Sequence, residues 1–175
     1  MVENEMRLVS ARVEISYELV DEQNKEGFEN AFANSQSGLD EWLSLARAKD
    51  EGENSDPLTL KLLTQVLRKL EYIEELLESK DGAQSYKLAN SAIATGIGYE
   101  GFGFNDECLK SGEKYFAKVR IQGFVKKHIM VFFKALDTKT AKIERISKID
   151  EKEWAQNVAR CEMNAIRASK SKDNG

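Results

Sequence analysis

Proline is all but missing from this sequence: Pro57 is the only one among 175 residues, and with 11 glycines the composition excludes a collagen-like or linker-like chain. Histidine is equally scarce. His128 is the single one, there is no Cys-x-x-Cys pair, and a zinc site would have to be completed by distant carboxylates, so no metal site is expected. The two cysteines, Cys108 and Cys161, read as separate free thiols rather than a bridge. No run of about 18 apolar residues occurs, which excludes a membrane-spanning helix. The first residues, Met1 to Arg7, lack a basic stretch followed by an apolar one, and a cytoplasmic location is the expectation.

Catalytic groupings are missing too. Nucleophilic catalysis needs a base beside a serine or cysteine, and the one histidine sits at the start of the apolar run His128-Ile129-Met130-Val131-Phe132-Phe133, where a structural role is expected. The acids are scattered along polar helix faces, with no pair set apart as an acid and base couple. The expectation is a non-enzymatic protein, with no catalytic residue and no cofactor.

What is present is a real core beneath a charged surface: 41% of residues are hydrophobic and 32% charged. The net charge of −4 is unevenly spread. Residues 1–56 carry 14 acids and 5 bases, whereas residues 57–175 carry 16 acids and 21 bases. The bases form no stripe interleaved with aromatics, so nucleic acid is not an expected partner.

Residues 11–19 alternate, with Ala11, Val13, Ile15, Tyr17 and Leu19 on one face, the pattern of a half-buried strand. Residues 24–34 and 38–49 have helical spacing, separated by a turn at 35–38 and followed by a polar linker over 50–55. Ser55 or Asp56 can cap a helix that opens on Pro57 and runs to about Ser79. Within it Leu63, Val66, Leu70, Ile73 and Leu77 step by three and four residues, as in the seam of a coiled coil, and Leu62, Leu67 and Leu76 widen the stripe. A helix packed on its own domain shows the same pattern, so the stripe has two possible uses.

Downstream, residues 86–95, 101–104, 114–121, 128–136 and 141–149 read as short strands separated by turns, which points to an antiparallel barrel or sandwich. A last helix is expected from Asp150 as N-cap with Glu153 at the third position, burying Trp154, Val158, Cys161 and Ala165 or Ile166, with a frayed tail from Ala168. The expected class is therefore α+β, in three parts: an N-terminal strand and helices over 1–55, a leucine-rich oligomerisation helix over 56–79, and a small barrel with its C-terminal helix over 84–170.

Gly96-Ile97-Gly98-Tyr99-Glu100-Gly101 spells G-x-G-x-x-G, but a strand pattern follows it instead of a helix. The glycines are expected to serve a bulge or tight bend rather than a dinucleotide.

Residues 57–167 resemble PilZ-domain proteins. The resemblance is carried by the helix from Leu58 to Leu77, the turn Gly98 to Phe104, the Leu109 to Glu113 turn leading into Val119-Arg120-Ile121, the strands Ile129 to Phe133 and Ile143 to Ile149, and the helix entered through Ile146-Ser147-Lys148-Ile149-Asp150. The leader helix is similar to that of an atypical branch that oligomerises through helices. The family binds cyclic di-GMP through an Arg-x-x-x-Arg segment and an Asp/Asn-x-Ser-x-x-Gly motif. If Gly101 matches the motif's glycine, Gly98 replaces the serine and Gly96 the Asp or Asn, while residues 79–95 hold only Lys80 and Lys87 and no arginine. The resemblance thus implies a signalling or scaffolding protein that associates with itself through Leu63, Val66, Leu70, Ile73 and Leu77. It would bind a protein partner in motility or surface-behaviour machinery, and cyclic di-GMP is not expected to bind. The alternatives are a receptor for that nucleotide using Lys80, Lys87 or Arg120, and a purely structural subunit of a flagellar or pilus machine.

Overall fold

The computed structural model describes residues 6–35, 57–80, 88–121 and 127–173. The expected helix over 38–49, the linker over 50–55, the caps Ser55 and Asp56, and Lys87 lie outside them. Six strands and three helices follow in chain order: β1 (Val9–Leu19), α1 (Lys25–Ser35), α2 (Pro57–Lys80), β2 (Asn90–Gly98), β3 (Gly101–Phe104), β4 (Lys114–Ile121), β5 (Lys127–Ala135), β6 (Thr140–Ile146) and α3 (Lys148–Asp173).

The strands close into an antiparallel barrel in the order β1-β2-β3-β6-β5-β4. The expected α+β class with a small barrel and a C-terminal helix is observed. One boundary differs. The N-terminal strand was expected to stand apart from a barrel confined to 84–170, yet β1 is a barrel strand, paired with β2 on one side and β4 on the other. Val13, Ile15 and Tyr17 point into the core, as the alternation requires. Without β1 the sheet would end in two unpaired edges, at β2 and β4. The leucine-rich helix does not lead into the barrel. It lies in the connection between its first and second strands.

The core is filled by Ile15, Ile97, Phe102, Val119, Ile129, Val131 and Phe133, with small residues such as Ala94, Ala117 and Ala141 between them. A second cluster covers the outside of β4 and β5. Phe28 stacks on Phe116 with ring centres 4.7 Å apart, and Phe32 meets Phe132 edge-on at 5.4 Å. Arg145 lies over the Phe32 and Phe132 rings and pairs with Glu29 at 2.6 Å, which holds that carboxyl below its ordinary range. Helix α1 is set up by Asp21 and Asn24, whose side chains each accept a hydrogen bond from the other's backbone N–H at 2.8 Å.

Several boundaries move by a few residues. Strand β2 spans Asn90–Gly98, running on through two glycines, and Tyr86, where the expected strand opens, lies outside the described residues. Helix α3 begins earlier than expected because the chain leaves β6 at Ile146 and the first residue off the strand, Ser147, is the cap. Its Oγ accepts from the Asp150 N–H at 3.1 Å, so Asp150 occupies the third position and is not the N-cap. The tail is not frayed at Ala168: the helix continues to Asp173, with its side chains exposed from Met163 onward.

Candidate functional site

Helix α2 carries the most conspicuous surface among the described residues. A capable Pro57 start and a run of good helix formers explain why it is helical. The five seam residues, Leu63, Val66, Leu70, Ile73 and Leu77, are all exposed, at 48% to 57% of their full area. Leu62 and Leu76 flank them, also exposed, at 53% and 44%. The helix therefore does not bury its stripe on its own barrel, which was one of the two uses open to it. Gln65, Leu67 and Arg68 are half-buried, so Leu67 belongs to the other side of the helix. Arg68 donates to Glu153 of α3 at 2.8 Å and ties the two helices together. That pair is only partly shielded, so it orients α2 more than it stabilises it.

The glycine motif has a structural explanation. Gly98 and Gly101 face each other across the two-residue turn Tyr99-Glu100, and no helix follows. A Cβ on Gly98 would collide with the carbonyl oxygen of Arg7, and one on Gly101 with that of Ala141. The glycines thus let neighbouring backbone lie close against the hairpin. The carbonyl of Gly98 accepts from Trp154 Nε1 at 2.9 Å, which seats α3 on the same hairpin.

The remaining candidates fall apart spatially. His128 is an exposed residue of β5 opposite Arg120 of β4. Cys108 and Cys161 are half-buried free thiols packed against the core. Burial, first, and then the Cys108 side chain raise the Tyr17 phenol well above its ordinary range, and its hydroxyl donates to the Cys108 carbonyl at 3.3 Å. Among the described residues no three His, Cys, Asp or Glu side chains group as a metal site would need, and no described helix is long and apolar enough to cross a membrane.

Compared with known proteins, the chain matches no family model, no curated protein and no solved structure.

Proposed function

We propose that this is a non-enzymatic assembly module of PilZ-like type, which associates with copies of itself through α2 and presents its barrel to a protein partner in a signalling or motility setting. The observation that carries the reading is the exposed stripe. Contiguous apolar surface of this kind is uncommon on monomers and marks a contact surface.

The occupant that fits best is the same helix from further copies. The three-four spacing assigns Leu63, Leu70 and Leu77 to the a positions of a heptad repeat and Val66 and Ile73 to the d positions. Leucine at a with β-branched residues at d favours parallel assemblies of three or four chains over two. Exposed Leu62 and Leu76 occupy g positions, which a wider bundle covers and a two-chain coil leaves wet.

The PilZ-like part of the reading is supported by the small antiparallel barrel closed by a helix. Two features separate the chain from the pattern that suggested it: α2 is inserted after β1, and the glycines at 96, 98 and 101 serve packing.

Replacing Leu70 and Leu77 together by Glu places like charges in the seam and is expected to give a folded monomer by sedimentation, against an oligomeric wild type. A monomeric wild type, or a double variant that keeps the wild-type mass, rejects the proposal.

A further inference from the structure

Beyond assembly, the molecule carries a basic cavity that the leucine helix does not use. A hollow of about 330 Å³ lies between β1, β4 and the middle of α3, lined by Arg12, Arg120, Arg160, Asn157, Asn164 and Cys161. We infer that this cavity is a binding site for a small ligand carrying more than one phosphate group, such as a pyrophosphate or the polyphosphate end of a nucleotide.

Each arginine is brought there by a different device. Ala11, Arg12 and Val13 all line the hollow. The register of β1 against β2 slips by one residue between Ser10 and Val13. That irregularity falls on the stretch of β1 that holds Arg12. Arg120 is placed by the β1–β4 register, opposite Glu14, and one of its N–H groups donates to that carboxylate at 3.0 Å. Arg160 donates to Oδ1 of Asn157 at 2.7 Å, and Asn157 itself is only 6% exposed, so this arginine is braced from a buried residue.

Among the described residues no carboxylate lines the hollow, and the nearby Glu14 engages Arg120 through one of five guanidinium N–H groups. Three guanidinium groups meet at one hollow, one of them paired with Glu14, and that concentration of donors favours an anion. The donor set selects the kind of anion. One guanidinium fork satisfies both oxygens of a planar carboxylate, whereas a site with three forks suits tetrahedral groups with more acceptor oxygens. The volume lies at the lower end of the range for small-molecule sites and exceeds what one phosphate fills. Among the described residues no aromatic side chain lines the hollow, and the arginines are its charged donors.

The test is calorimetric titration of the full chain with inorganic pyrophosphate, with citrate as the carboxylate control. Saturable binding in the micromolar range is expected, with citrate weaker by about tenfold or more. Arg12→Gln and Arg160→Gln should each weaken pyrophosphate by about tenfold or more, since each removes a charged fork. Arg160→Lys, which keeps the charge and loses the fork, should fall in between. Melting curves confirm that each variant is folded. No saturable heat below millimolar pyrophosphate overturns the inference, as does citrate binding equally well or unchanged affinity in folded Arg12→Gln and Arg160→Gln. The Leu70→Glu, Leu77→Glu chain should bind pyrophosphate like the wild type, so the two proposals fail or stand separately.

Discussion

Trp154 shows how a single residue can join two parts of the molecule. Its ring is 2% exposed, meets Phe102 edge-on at 6.4 Å, and spends its one N–H on the carbonyl of Gly98. Trp154→Ala removes the ring, leaves a cavity and orphans that carbonyl, and should cost about 3–5 kcal/mol in a urea melt. Met163→Ala, nine residues along the same helix but exposed, should stay within about 0.5 kcal/mol of wild type. Equal losses at the two positions would mean that α3 is not seated as described. The inward spacing of Trp154 and Val158 could be read from the sequence, because it is local. The hydrogen-bond partner of Trp154 lies 56 residues away and could not. Arg12 is the sharper case. It lines a hollow with Arg120 and Arg160, and nothing in its neighbours along the strand betrays that meeting.

Helix α2 was legible because its cause is local: a proline start, no breaker, and leucines at heptad spacing. Which body would cover the stripe was not legible, since intramolecular and intermolecular burial demand the same pattern. The structure adds that Leu63, Val66, Leu70, Ile73 and Leu77 are exposed and do not pack on the barrel. The side-chain types then make a further prediction. Exchanging the a and d residues, with Ile at 63, 70 and 77 and Leu at 66 and 73, keeps the hydrophobicity while reversing the packing preference. That variant should form dimers, against the three or four chains expected of the wild type, in sedimentation equilibrium. A variant that retains the wild-type oligomer number would show that the a/d geometry does not govern assembly.

Across the whole molecule, β1 is the piece that makes the barrel a barrel. A chain of residues 57–175 retains α2, five strands and α3, but it exposes both edges that β1 pairs with and loses Val13, Ile15 and Tyr17 from the core. It should show no cooperative thermal transition, and adding a peptide of residues 6–20 should restore one. Cooperative melting of the fragment alone would put β1 outside the folding unit.

The sequence by itself determined the period of each element, and with it the strands, the helices and the inward face of nearly every one of them. Those depend on side chains a few positions apart. The tertiary structure alone decided that the first strand belongs to the barrel, because the alternation of residues 11–19 states that one face is buried without naming what buries it. It alone gathered Arg12, Arg120 and Arg160 around one hollow, since they come from β1, β4 and α3 and share no local spacing. It also settled the glycines at 98 and 101, whose purpose is the close approach of the backbones of Arg7 and Ala141, a contact between segments far apart in the chain.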